Sequence, residues 1–329
     1  MDTSPFSETQ FYETPLYEIQ PGIIWDARVA WDLSLGGLGV GAFLLAFLLW
    51  CLADRRYRPL AQTAAVIAPV AVAIGLTLLF SKLGYKLHVY QMGLNFAPTS
   101  IMWWGALLQG AFVGLSTIFA FRLLFPNVSL LDWLSARLVG WVAVPLAVLT
   151  GLYHGVLLAV ISSHPLWATG QMVIASVLLF MVTGSAGALL VHMIRIALLG
   201  ARSEEGSLKD YWAGLRPLVL VMLVSTALLL VTLLAWWIDL RFGPTRDQEV
   251  ITAVLATYGS LITLAVTALI GALALCVAAL LAGLRGRSLP AFATAILCVL
   301  MLGGGFAIRY VAVLGGQLSP PVSTLTTLS

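Results

Sequence analysis

Charge is scarce in this chain. Of 329 residues only 9% are charged, 17 Lys+Arg and 14 Asp+Glu, where an ordinary soluble domain carries about 25%. Hydrophobic residues make up 60% and the mean hydropathy is +1.00. So few charges cannot cover the exterior of a soluble fold of this length, which excludes a soluble enzyme or a nucleic-acid binder. The net charge of +3 is too small to argue for a polyanionic partner. Cysteine is equally sparse. Cys51, Cys276 and Cys298 each sit in an apolar run with no CxxC spacing, so an iron–sulfur cluster or a structural zinc, which take four ligands, is not expected. No internal repeat and no low-complexity tract is evident.

What the chain has instead is long apolar runs. Crossing the hydrocarbon core takes about 20 mostly apolar residues in a helix, and irregular backbone facing lipid would leave its amides unpaired. The runs lack the period-two alternation of a barrel strand. They predict eight helical spans with cores Val29–Leu52, Leu60–Phe80, Ile101–Phe125, Leu138–Ile161, Met172–Leu199, Leu218–Leu240, Val250–Leu281 and Ala291–Val313. The seventh is long enough to imply tilt or an interfacial extension. The expected fold class is thus an all-α membrane bundle: residues 29–317 as the helical domain, 1–28 as an N-terminal segment and 318–329 as a C-terminal tail.

Lys and Arg set the orientation. The odd-numbered loops and their flanks hold Arg55, Arg56, Arg58, Arg122, Arg137, Arg195, Arg202, Lys209, Arg216, Arg285 and Arg287. The other side holds Arg28, Lys82, Lys86, Arg241, Arg246 and Arg309. Eleven against six places the odd loops in the cytoplasm and both termini outside. Residues 1–28 lack a basic n-region, an apolar h-region and a twin-arginine pair, and carry five acids, so they do not read as a cleavable signal.

Ionisable groups at membrane depth are costly and therefore candidates for function. Asp32 lies just inside the first span, in Trp31-Asp32-Leu33-Ser34-Leu35-Gly36-Gly37-Leu38-Gly39-Val40-Gly41. Gly36 and Gly39 fall at i+4 and i+7 from it, so one helix face is stripped of bulk beside a carboxyl group. That face suits a flat ligand or a close-packed helix; the carboxyl itself suits proton transfer, pairing with an arginine, or contact with interfacial water. Tyr153 and His154, with Thr150 one turn away, put a phenol and an imidazole in the outer half of the fourth span. A quinone needs such groups: a donor to each carbonyl oxygen and a titratable partner. Arg309, near the outer end of the last span, can pair with Asp32, steer an anion or reach the headgroups. His192, beside Arg195 at the other end of the fifth span, reads as interfacial. His154 and His192 stand about 17 and 20 residues into antiparallel helices, hence near opposite faces, and cannot share a haem iron; no haem and no metal is expected. Asp32, Tyr153, His154 and Arg309, with the loop residues Lys86, His88 and His164, converge on the outer side, as a polar pocket would require.

These segments resemble the NrfD/PsrC family, the membrane subunits of polysulfide reductase and related oxidoreductases. The glycine-rich Leu35–Leu44 helix is similar to the family's opening helix. Leu83-Gly84-Tyr85-Lys86-Leu87-His88 and Leu94 through Trp103-Trp104-Gly105 look like its connection into the third helix. Thr150-Gly151-Leu152-Tyr153-His154-Gly155 through His164-Pro165-Leu166-Trp167 looks like its fourth helix and exit, and Arg309 through Gln317 like its ending. The resemblance implies a subunit of a bacterial or archaeal cytoplasmic membrane complex that binds quinone (menaquinone or ubiquinone) as an exchangeable substrate, with no redox centre of its own. It also implies a ferredoxin-like iron–sulfur subunit docked outside and a catalytic subunit, often a molybdenum enzyme, beyond it. Tyr153 matches the family's quinone-contacting tyrosine. Asp32 stands where the polysulfide reductase branch offers a histidine. The roles expected from the chemistry are Tyr153 as carbonyl donor, Asp32 as proton relay, His154 as second hydrogen-bonding or proton group, Gly36 as the open face and Arg309 as the charge partner. Lys86, His88, His164 and Trp104 would line the pocket or the partner interface. Two other readings remain: a proton or solute transporter, against which stand the missing repeats and the one-sided polar residues, and a purely structural anchor.

Overall fold

The structure, a computed structural model, describes residues 25–52, 57–82, 99–128, 135–199 and 215–318. Among these residues every regular element is a helix: α1 (Ala27–Cys51), α2 (Arg58–Lys82), α3 (Ile101–Leu124), α4 (Ala136–Ala159), α5 (Gly170–Leu199), α6 (Arg216–Phe242), α7 (Thr245–Leu284) and α8 (Ala291–Gly315), closed by a 3-10 turn over Gly316–Leu318. All eight are long and apolar enough to cross a membrane, so this is an all-α, multi-pass membrane protein. The residues flanking each run explain where helices begin. Asp26 caps α1 by accepting from the Arg28 N–H at 2.9 Å, and its carboxylate faces the positive end of the helix dipole. Ser135 caps α4 in the same way. The seventh run is extended rather than broken: α7 is one continuous helix of 40 residues, about 60 Å at ~1.5 Å per residue.

The helices pack as two groups of four joined through α1 and α5. α1 lies against α2, α4, α5 and α8, and α5 against α1, α2, α4, α6 and α8. These two are the most buried spans. Small residues make that possible, since apolar chains gain nothing by leaving lipid and helices associate instead through close packing. At the α1–α5 crossing Gly41 and Gly184 meet backbone to backbone, and a Cβ on either would run into the other helix. An aromatic group fills the lower half of the first bundle. Phe43 meets Phe112 and Phe119 edge-on at 5.4 and 5.3 Å.

An even number of crossings brings both ends of the domain to one face. There the Trp25 N–H donates to Gln317 Oε1 at 2.9 Å, and Gln317 Nε2 donates back to the Trp25 carbonyl at 2.7 Å. The α4–α5 connection joins them: Trp167 Nε1 donates to the Ala312 carbonyl at 2.6 Å, and Arg246 Nη2 to the Ser163 carbonyl at 2.5 Å. We call this the end face and the opposite one the far face. At the far face Arg216 donates to the Gly283 carbonyl, and Thr63 and His192 share a hydrogen bond at 3.2 Å. His192 is buried by its neighbours. The exposed Arg195 donates through Nη1 to Thr63 Oγ1 at 3.0 Å, so both side chains meet Thr63 near this helix end.

A candidate functional site near the end face

Three helices carry the ionisable residues to one depth. Asp32 is five residues into α1, His154 five residues from the end of α4 and Arg309 six from the end of α8. At ~1.5 Å per residue each lies about 8–9 Å below the end face. All three are buried, at 3, 1 and 4% exposure, out of reach of bulk water.

Glycines bring them together. Gly36 lies one turn beyond Asp32 on the same face of α1, and a Cβ there would stand 2.8 Å from Cε1 and 3.0 Å from Nε2 of His154. The bare face of α1 thus seats the imidazole against backbone. On α2, Gly75 does the same for the carboxyl: a Cβ would stand 2.9 Å from Asp32 Oδ1. Gly105 of α3 accepts the Tyr153 ring, which is half-buried and lies 5.7 Å from the His154 ring. Behind His154 the wall is Phe180 of α5, edge-on at 5.7 Å, with the Arg309 guanidinium 4.8 Å over its ring.

Arg309 does not form the ion pair with Asp32 that their common depth suggests. Among the described residues the ion pair is Arg28–Asp26, at 2.8 Å. The Arg309 guanidinium turns instead to backbone, donating through Nη1 to the Leu33 carbonyl and through Nη2 to the Ser176 carbonyl at 3.3 Å. It ties α8 to both central helices, and Phe180 takes up its cationic face.

The consequence is a set of buried polar atoms with no partner among the described residues: Asp32 Oδ1, both ring nitrogens of His154, Thr150 Oγ1 and Gln109 Oε1. Native proteins pair more than about 90% of such groups, and each one left unpaired costs about 1–3 kcal/mol. Thr150 is one turn below His154 on α4, and Gln109 one turn below Gly105 on α3. Together with α1, three helices supply unpaired polar atoms within about two turns of each other. A flat molecule bearing carbonyl oxygens is matched by this donor and acceptor set, and so is ordered water. No three of the described His, Cys, Asp and Glu side chains converge.

The remaining predicted residues separate. His164 is on the end face, but its Nδ1 is engaged by the Gly316 carbonyl at 2.8 Å and its ring packs on Trp167 at 4.5 Å. It fastens the α4–α5 connection to the end of α8. Trp104 is 44% exposed on the flank of α3, its ring edge-on to Trp103. Lys86 and His88 lie outside the described residues. Phe180, Ser176, Gly75 and Gln109 were not legible as site residues. Only Gln109, a lone amide in an apolar run, offers a signal in the sequence.

Comparison with known proteins identifies the family. Residues 16–321 match the family described as "Polysulphide reductase, NrfD". A curated relative, the C subunit of polysulfide reductase from Wolinella succinogenes, is 26% identical over 209 residues, covering 59% of this chain and 64% of the relative. The match thus spans somewhat less than two thirds of that protein's length. With the family matched over nearly the whole helical domain, and eight apolar helices behind it, the chain belongs to the NrfD family of membrane proteins.

Proposed function

We propose that this chain is the membrane-anchor subunit of a respiratory oxidoreductase complex and binds quinone or quinol among Asp32, Gly36, Tyr153, His154 and Arg309. The observation that carries the reading is the group of unpaired polar atoms around the bare face of α1. Burying five of them without a ligand or water would cost several kcal/mol, about 1–3 each. A quinone carbonyl takes a hydrogen bond from a phenol or imidazole, and interconversion with the quinol moves two protons with two electrons. Tyr153 donates to one carbonyl oxygen. His154 serves the second oxygen or its proton. Asp32, one turn from Gly36, relays protons between the pocket and the end face. Arg309 holds a fixed positive charge behind Phe180 and keeps the three helices in register.

Electrons pass to or from a partner. The relative is by name one subunit of a polysulfide reductase, which supports an assembly of several chains here. A ferredoxin-like iron–sulfur subunit docked on the end face, with a catalytic (often molybdenum) subunit beyond it, completes the path. Lys86, His88, His164 and Trp104 are the residues proposed to meet that partner. Loop charge puts it on the extracytoplasmic side of a bacterial or archaeal cytoplasmic membrane. The test is to isolate the tagged complex in mild detergent, identify its subunits and measure quinol turnover. Tyr153→Phe and Asp32→Asn are each expected to lower turnover at least tenfold with the subunits intact. Unchanged turnover in both variants would move the quinone elsewhere. A lone, quinone-free chain would favour a transporter or structural anchor.

A further inference from the structure

A cavity lies at the far face, at the opposite end of the bundle from the Asp32–His154 site. It has a volume of about 320 Å³ and is lined by Trp50, Arg58, Gln62, Arg122, Leu123 and Ala136, with Ala61 and Pro126 at its edge. That volume is within the ~300–1,000 Å³ of small-molecule sites. Four helix ends build it: the last turn of α1, the first turns of α2 and α4, and the last turn of α3. Its polar side is two guanidiniums and an amide. Gln62 Nε2 donates to the Leu123 carbonyl at 2.9 Å and Arg122 Nη1 to the Val128 carbonyl at 3.0 Å, which hold both side chains at the rim. Arg58 is exposed. Its other side is apolar, and Trp50 is fixed there by Phe47 and Phe119, at 6.0 and 6.1 Å.

We propose that this cavity binds an anionic glycerophospholipid, its phosphate between Arg58 and Arg122 and its glycerol and first acyl carbons against Trp50, Leu123 and Ala136. Guanidiniums match phosphate oxygens as paired donors. Basic pockets between transmembrane helices at this level of the membrane suit lipid headgroups. The apolar half decides for a lipid over free phosphate: a soluble anion would leave Trp50 and Leu123 facing water, and the site is wider than an inorganic phosphate needs.

The experiment titrates the full-length protein in detergent with phosphatidylglycerol, phosphatidylcholine, inorganic phosphate or glycerol phosphate, reading the thermal midpoint and bound lipid by native mass spectrometry. Phosphatidylglycerol is expected to half-saturate at a concentration at least tenfold below phosphatidylcholine, with neither soluble phosphate reproducing the shift. Arg58→Gln should reduce that preference several-fold, Arg58→Gln/Arg122→Gln should abolish it, and Arg58→Lys/Arg122→Lys should keep part of it. Arg241→Gln, an exposed arginine of the end face, should leave it unchanged. If Arg122→Gln prevents folding, Arg58→Gln alone decides. An undiminished preference in Arg58→Gln overturns the site. So does an equal loss in Arg241→Gln, which would mean non-specific charge, or an equal shift with inorganic phosphate, which would mean a soluble anion.

Discussion

Replacing Gly36 with alanine adds one methyl group where α1 meets the His154 ring. The new Cβ would stand 2.8 Å from Cε1 of the imidazole, and ordinary contact begins near 3.4 Å, so the ring must retreat by about 0.6 Å. It has little room, because Phe180 stands behind it, pinned under Arg309. Overpacking of this kind costs about 1–3 kcal/mol, which a bundle with this many interhelical contacts survives. The larger effect is on chemistry. A displacement approaching 1 Å at a group that positions a reacting atom lowers the rate by up to ~10²-fold. Gly36→Ala is therefore expected to assemble normally, judged by size-exclusion profile and subunit stoichiometry, while quinol-dependent turnover of the intact complex falls between tenfold and a hundredfold. Gly110→Ala and Gly303→Ala, where a Cβ meets nothing within 4 Å, should behave as wild type in both assays. A Gly36→Ala complex that assembles and turns over at the wild-type rate would refute the placing of His154 in the reaction site.

Other outcomes follow from the same geometry. Gly184→Leu should abolish accumulation of folded protein, because a side chain there collides with the backbone of Gly41 and Ala42 on a central helix; membrane yield after detergent extraction checks it. Arg309→Gln removes hydrogen bonds from a buried cation to the Leu33 and Ser176 carbonyls, each worth about 1.5–3 kcal/mol, and should lower the thermal midpoint more than Asp32→Asn does. Trp167→Phe deletes one of two donors to the Ala312 carbonyl, the Gly316 N–H remaining, and should cost about 0.5–1.5 kcal/mol, the net worth of one hydrogen bond. The loss should appear as faster hydrogen exchange where the α4–α5 connection meets α8.

The spans are legible in the sequence because the bilayer imposes one rule on every segment, and the predicted cores fall within the observed helices to a few residues. The exception is α7. Its extra length comes from the polar turns at Thr245–Glu249, which continue a helix that hydropathy alone ends at the membrane boundary. Asp32, Tyr153, His154 and Arg309 are legible as a group because charge at membrane depth is rare. Their pairing is not. Helical depth places Arg309 beside Asp32, but the close approach permitted by Gly37 brings carbonyls of α1 and α5 within reach, and the guanidinium satisfies itself there. Phe180 is an ordinary apolar residue until α1 and α5 cross, and Gly75 an ordinary glycine until α2 meets Asp32.

The most direct test of the quinone pocket is photoaffinity labelling of the intact complex with an azido-quinone, with the crosslinked peptides mapped by mass spectrometry. A competing location exists, since an apolar cavity of about 270 Å³ lies between α6, α7 and α8, lined by Leu233, Trp236, Ile251, Val254 and Val311. The account predicts label on the segments carrying Asp32–Gly36 and Thr150–His154, displaced by excess quinol and reduced in Gly36→Ala. Label confined to the α6–α8 cavity, undiminished by Gly36→Ala, would contradict it.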